Sequence, residues 1–499
     1  MEGFSSMSGM FLGLDLGTSE LKALLLGADH RIVGTARAPL AVDRPRPLWS
    51  EQAPAQWAQA LESVMHDLRA AHAPALLQVR AVGLSGQMHG AVLLGGRGEV
   101  LRPAILWNDG RSAAQCAALT RAVPRLGDIA GNLAMPGFTA PKLLWVREHE
   151  PEVFARTERV LLPKDWLRFM LTGEAVSDPS DASGTLWLDV GRRDWSDTLL
   201  AATGLTRAHM PRLVEGCAPS ARLRPELAAR WGLGEGGGAD VVVAGGGGDN
   251  AASAVGMGIV AAGQGFVSLG TSGVIFVATD RFAPDPARAV HAFCHALPGR
   301  WHQMAVMLSA ASAVTWATRC LGLPDEAALL AEAAGVEPGA RRRAPLFLPY
   351  LSGERSPHND AHAQGVLFGL THAHGRADIA YAVAEGVALG LRDGLDTLQR
   401  PADALALVGG GARSRWWAQL LADALEVPLA LGEGGEAGGA LGAARLGWLA
   451  AGGDEARVCT APAVRERFLP RAAEAALLRE RHVRFRALYL ALRAAFPVD

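Results

Sequence analysis

The tetrapeptide Leu-Gly-Thr-Ser occurs twice in this chain of 499 residues, at Leu16–Ser19 and at Leu269–Ser272, once in each half. Each copy follows an apolar run, Phe11-Leu12-Gly13-Leu14-Asp15 in one case and Gly265-Phe266-Val267-Ser268 in the other, and each precedes another. That pattern predicts strand, tight polar turn, strand in both halves. A turn of Gly, Thr and Ser presents backbone N–H groups and hydroxyls, the donors a phosphate chain needs. Two such turns in two similar halves predict a nucleotide gripped between duplicated domains.

The length favours two domains over one core. A hydrophobic share of 49%, a charged share of 20% and a formal net charge of −2 are those of a soluble globular protein, and they argue against nucleic acid as a partner. The one basic run, Arg341-Arg342-Arg343, reads as a solvated loop. Five scattered cysteines without a CxxC pair suit a reducing cytoplasm, the expected location. No uncharged run reaches the ~18 residues of a membrane span, so no membrane is expected. Residues 1–9 read as a flexible extension, with Met10 as an alternative start.

Alternating strand and helix signals predict an α/β protein of two domains, each around a central sheet, over residues 10–240 and 241–499. Gln56–Ala71 has helical spacing, with Trp57, Leu61, Val64 and Leu68 on one face. Val79–Leu84 reads as a buried strand ending in polar residues, where α/β proteins place ligands. Glu235–Gly238 is the strongest linker candidate. Helices are expected from about Ser309, over Ile379–Leu398, from about Ser414, and over Ala472–Ala495. The last is amphipathic and is read as crossing between the domains, open to packing on the first.

Several residues carry chemistry. Asp15 stands two residues before Gly17, and a carboxylate beside a phosphate-binding turn needs a cation between them; Mg²⁺ is the natural one. The bland alternative is a turn-capping Asp. Asp249 follows four glycines and precedes Asn250, a placement that suits a base accepting a hydroxyl proton; the alternative is an N-cap for the Ala-rich helix that follows. Gly409-Gly410-Gly411-Ala412-Arg413 joins a strand to a helix and lets backbone approach a planar ligand, or is simply a tight turn. Glu433–Gly439, before Ala440, is either a nucleotide-pocket wall or a site of close helix packing. Gln87, Met88 and His89 end one apolar run, and Trp107, Asn108 and Asp109 end another. Together they mix donors, acceptors and apolar faces, as a polyhydroxylated ligand requires.

These residues resemble the FGGY carbohydrate kinases, a branch of the actin-like ATPase superfamily. Gly137-Phe138-Thr139-Ala140-Pro141-Lys142-Leu143-Leu144-Trp145 is similar to the family's first signature. Gly365–Leu370, continuing through Asp378 to Glu385, is similar to the second. Pro47–Gln52, Gly86–Gly90, Ile105–Arg111 and Leu351–Asn359 resemble the branch that phosphorylates D-xylulose. The resemblance implies two ribonuclease H-like domains with the site in the cleft between them. It implies ATP and Mg²⁺, with Asp249 as catalytic base and Asp15 organising the metal, most simply through water. Met88 and His89 would contact the sugar, with Gln87, Trp107, Asn108, Asp109 and Asn250 around them. Thr18, Ser19 and Lys22 would form one phosphate loop, Gly270, Thr271 and Ser272 the other, and Gly409 to Arg413 the adenosine motif. A homodimer is implied by the family alone. The sequence departs from the family pattern at Glu20, where many relatives have Gly, at Ala384 and at Ser356. The rivals are a sibling kinase for ribulose, a pentitol or glycerol, a non-catalytic ATP-dependent switch, and a sugar sensor without turnover.

Overall fold

Both Leu-Gly-Thr-Ser copies sit at the bend of an antiparallel hairpin. In a computed structural model describing residues 9–234, 240–399, 404–432 and 438–497, β1 (Met10–Leu16) pairs with β2 (Glu20–Gly27) and leaves Gly17–Ser19 as the turn. The expected linker Glu235–Gly238, residues 1–8 and residues 433–437 lie outside the described residues. β2 continues antiparallel into β3 (Ile32–Pro39), while β4 (Val79–Gly86) and β5 (Val242–Ala244) add parallel on the other side of β1. The second half repeats this order. β6 (Gly265–Leu269) and β7 (Gly273–Thr279) flank Gly270–Ser272, β8 (Trp301–Met307) pairs antiparallel with β7, and β9 (Leu405–Val408) and β10 (Leu429–Gly432) add parallel. Three antiparallel strands followed by two parallel ones, twice, is the duplicated ribonuclease H-like arrangement that the resemblance implies.

Parallel strands end at the same edge, and this assembles the site. In the first sheet, Asp15 lies beside Ser85, and the short strand Gly247–Gly248 pairs with Ser85 and Gly86. The carboxyl ends of β1, β4 and Gly247–Gly248 therefore bring Asp15, Gln87 and Asp249 to one edge. This corrects the expected boundary at residue 240: residues 242–248 belong to the first sheet, and Asp249 with them.

The first sheet is covered on one face by helix Pro54–Leu76, whose buried side chains include Trp57, Leu61, Val64 and Leu68. Its other face carries α1 (Asp249–Gly256) and α2 (Gly438–Ala450), the latter arriving from the second half. Small residues make the approach close. A Cβ on Gly83 would stand 1.7 Å from the Ala443 carbonyl oxygen, and one on Gly442 the same distance from that of Ala252. Phe11 stacks on Trp448 at 4.7 Å across the same layer. Close helix packing is thus the role of Ala440–Ala444, while residues 433–437 of the expected segment lie outside the described residues.

Among the described residues the last helix, Ala472–Leu492, packs into the core of the second domain. Its Arg481 is buried and pairs with Glu385 at 2.5 and 2.6 Å, so Glu385 of the second signature anchors this helix. Arg341 is likewise buried, pairing with Glu474 at 3.2 Å, which corrects its reading as part of a solvated loop.

Candidate active site

Asp249 is the first helical residue of α1; the N-cap position belongs to Gly248. Its Oδ1 accepts hydrogen bonds from the Asn250 backbone N–H at 2.7 Å and from Asn250 Nδ2 at 2.9 Å, which leaves Oδ2 to take a proton. Burial, with the Asp15 carboxylate behind it, pushes the Asp249 carboxyl up to about 6. A base with that affinity is charged at neutral pH and still binds a proton readily. Burial also raises Asp15, against the opposing pull of the Ser85 hydroxyl and the Lys22 ammonium. Two carboxylates that disfavour each other's charge at one cleft edge fit a divalent cation. Among the described residues no group of three or more His, Cys, Asp or Glu side chains could hold a metal. An ion here would therefore take its other ligands from phosphate oxygens and water, the usual habit of Mg²⁺.

On one side of Asp249 stand Met88 and His89. A Cβ on Gly248 would meet Met88 Sδ at 2.9 Å, so that glycine admits the methionine beside the base. His89 has a left-handed backbone, φ 70°, a sparsely populated conformation for a residue with a Cβ, and one that the surrounding structure must hold. The first family signature supplies it. Thr139 Oγ1 and Lys142 Nζ donate to the His89 carbonyl at 3.1 and 2.7 Å, and the Phe138 ring lies 4.6 Å from the imidazole. His89 Nδ1 is 2.7 Å from the Gly184 carbonyl, which can only accept, so Nδ1 carries the proton. Burial holds the imidazole down to about 3, hence neutral, and Nε2 is an acceptor for a hydroxyl.

On the other side, a cavity of about 300 Å³ runs from Asn250 and Ser253 past Ser268 to Gly409, Gly410, Gly438 and Gly439. Beyond it, a cavity of about 770 Å³ opens from Gly270 and Thr271. Its walls are α3 (Ala311–Cys320) and α4 (Glu326–Ala334), with Val314, Leu330 and Trp416 as apolar surface and Arg413 at the rim. Gly410 lines both, and beside it Gly409 has φ +92°, where a Cβ would stand 2.5 Å from the Leu269 carbonyl oxygen. A phosphate chain in the smaller space and a nucleoside in the larger one match these dimensions and linings. The apolar walls were missed from sequence, where α3 and α4 show only helical periodicity.

Other expected contacts are placed differently. Gln87 is buried with its amide committed to the first turn: it accepts from Thr18 Oγ1 at 3.0 Å and donates to Gln52 Oε1 at 3.0 Å. Trp107, half exposed, donates to Thr18 Oγ1 at 2.9 Å. Gln52, which sequence reasoning did not single out, donates to the Thr18 carbonyl at 2.7 Å. These three side chains set the first turn. Asp109 is wholly engaged by the Ser50 N–H at 2.6 Å and by Arg111 at 2.7 Å, and Arg111 lies 3.6 Å over the Trp49 ring. Asn108 and Ser19 are exposed, and Lys22 is buried beside Asp15 in the β1–β2 register.

The profile described as "FGGY family of carbohydrate kinases, N-terminal domain" matches residues 10–256, and its C-terminal counterpart matches residues 265–451. The chain is 50% identical to the xylulose kinase of Escherichia coli strain K12 over 487 residues, covering 96% of this chain and 98% of that protein. It is 52% identical to the xylulose kinase of Klebsiella pneumoniae, covering 88% and 90%. Among solved structures, a "xyloylose kinase" from Brucella ovis superposes with a TM-score of 0.93 at 50% identity, covering 97% of this chain and 100% of that one. The xylulose kinase from Rhodospirillum rubrum superposes with a TM-score of 0.89 at 30% identity, covering 98% and 99%.

Proposed function

The chain belongs to the FGGY family of carbohydrate kinases, and from that premise we propose that it transfers the γ-phosphoryl group of ATP to D-xylulose, giving D-xylulose 5-phosphate and ADP. The observation that carries this reading is the position of Asp249, between the Met88–His89 pair and the Asn250–Gly410 cavity. The acceptor hydroxyl gives its proton to Asp249 Oδ2 as its oxygen attacks the γ-phosphorus, and ADP departs toward Gly409 and the larger cavity. His89 Nε2 accepts from a sugar hydroxyl and fixes which face of the sugar meets the base. The backbone donors of the two turns hold the phosphates, in keeping with a reaction that is mostly positioning and electrostatics. Mg²⁺, held through Asp15, supplies charge neutralisation on the phosphates once bound. Among the described residues no helix is long and apolar enough to cross a membrane, and all five cysteines are free thiols, which suits the reducing cytoplasm we propose as its location.

Phosphorus–proton correlation NMR of the product tests the reaction: coupling of the new phosphorus to the C5 methylene protons is expected, and coupling to C1 protons or no product overturns the proposal. The pH profile follows from the same site. Asp249 works only when deprotonated, so kcat/KM for the sugar is level near neutrality and falls about tenfold per pH unit below about 6. An acid limb placed in the ordinary range, near 4, contradicts the assignment.

A further inference from the structure

Beneath Asp249 lies a cluster of charges with no access to solvent. Lys164, Asp165, Arg168, Asp178 and Asp181 are each 0% exposed. Lys164 Nζ lies 2.5 Å from Asp165, 2.9 Å from Asp178 and 3.4 Å from Asp181, and Arg168 pairs with Asp165 at 3.0 Å. Burial works against the Lys164 charge, yet the three carboxylates overcome it and hold the ammonium above its ordinary range. Nothing in the proposed chemistry uses this cluster directly, and buried ion pairs are a poor source of net stability. It connects to the site through Arg168, which donates to the Gly245 carbonyl, and, nearer the base, through one hydroxyl.

Asp178 caps the short helix Pro179–Ala182 by accepting from the Ser180 and Asp181 backbone N–H groups. The Ser180 hydroxyl donates to Asp178 Oδ2, and its Oγ accepts the Gly248 N–H at 3.2 Å. Gly248 is the N-cap of α1, and Asp249 follows it immediately. The chain of contacts therefore runs from Lys164 to Asp178, to Ser180, to Gly248 and to the base. Four residues after Ser180, the Gly184 carbonyl accepts a hydrogen bond from His89 Nδ1–H. Between them, Ser183 Oγ accepts the Cys294 N–H from a strand of the second sheet.

We infer that Ser180 is the positioning residue of Asp249: its hydroxyl, fixed by Asp178 and the Lys164 cluster, holds the Gly248 N–H and so aims the first turn of α1. The same eight-residue run, Asp178–Thr185, fixes His89 through Gly184 and meets the second domain through Ser183. Base, sugar-facing imidazole and domain contact are thus set from one rigid segment. A rigid support of this kind is what a site relying on positioning requires, since small displacements of a reacting group cost rate while leaving ground-state binding in place.

This inference rests on Asp249 being the base, so both are tested together, in Ser180→Ala, Ser180→Cys and Asp249→Ala. The readouts are kcat per folded site, KM for D-xylulose and Tm. Expected is a graded loss of kcat, about tenfold for Ser180→Ala and less for Ser180→Cys, whose thiol is nearly isosteric and a weak acceptor, with KM changed less than about threefold. If the alanine variant does not fold, the cysteine variant carries the reading by itself. A Ser180 variant with wild-type kcat, or one whose loss only tracks its unfolded fraction, overturns the inference while Asp249→Ala remains inactive. Near-normal turnover by Asp249→Ala overturns the base assignment instead.

Discussion

Asp249→Ala lowers kcat with D-xylulose by roughly 10²- to 10⁴-fold and leaves ATP affinity within about threefold of the parent. The large factor follows from geometry. Asp249 has one oxygen committed to Asn250 and one left to take a proton. The nearby Asp15 carboxylate lies on β1, at the phosphate turn, and is not poised to replace it. The small effect on ATP follows from the cavity linings, in which Asn250, Ser253 and the glycines at 409, 410, 438 and 439 face the smaller space and Asp249 does not. Stopped-flow or steady-state turnover beside calorimetric ATP titration separates the two quantities. A variant retaining more than about a tenth of parental turnover is incompatible with a general base at this position.

Lys164→Met carries the largest stability effect. The ammonium is the shared partner of three carboxylates, all without solvent access. Asp181 has neither oxygen in a hydrogen bond among the described residues, and burial already holds its carboxyl well above the usual range. Removing the cation strands these groups, and breaking a buried ion pair from one side costs about 3–5 kcal/mol. For domains of this size that corresponds to a fall in Tm of roughly 6–20 °C. Differential scanning calorimetry gives the shift, and one within about 2 °C would show that the cluster relaxes or takes in water. Because Ser180 links the cluster to α1, the same variant is expected to lose turnover even well below its Tm.

Much of this site can be read from sequence because its turns are contiguous strings. Leu-Gly-Thr-Ser, the four glycines before Asp249 and the three after Val408 each occupy one short segment whose backbone does the work, so composition and local order reveal it. Asp15 and Asp249 are likewise conspicuous, since a carboxylate beside such a turn has few structural uses. The partners of Gln87 and Asp109 are hidden for the opposite reason. A polar group at a buried strand end must find a partner, and these find theirs in Thr18, Gln52, Ser50 and Arg111, more than thirty positions away for most of them. The course of α2 across the first sheet is hidden too. Its signal is a run of Gly and Ala, which marks close packing without saying against what. The nucleoside walls and Ser180 are hidden because each acts through elements far apart in the chain, whose meeting only the strand order decides.

Turnover of D-xylulose at the expense of ATP is tested most directly by Mg-ATP-dependent ADP release with D-xylulose beside D-ribulose, L-ribulose, xylitol, glycerol and no sugar. Strong stimulation by D-xylulose, above every other acceptor and above the sugar-free rate, is expected. Preferential stimulation by another acceptor contradicts the substrate, and no stimulation by any sugar contradicts the kinase reading itself.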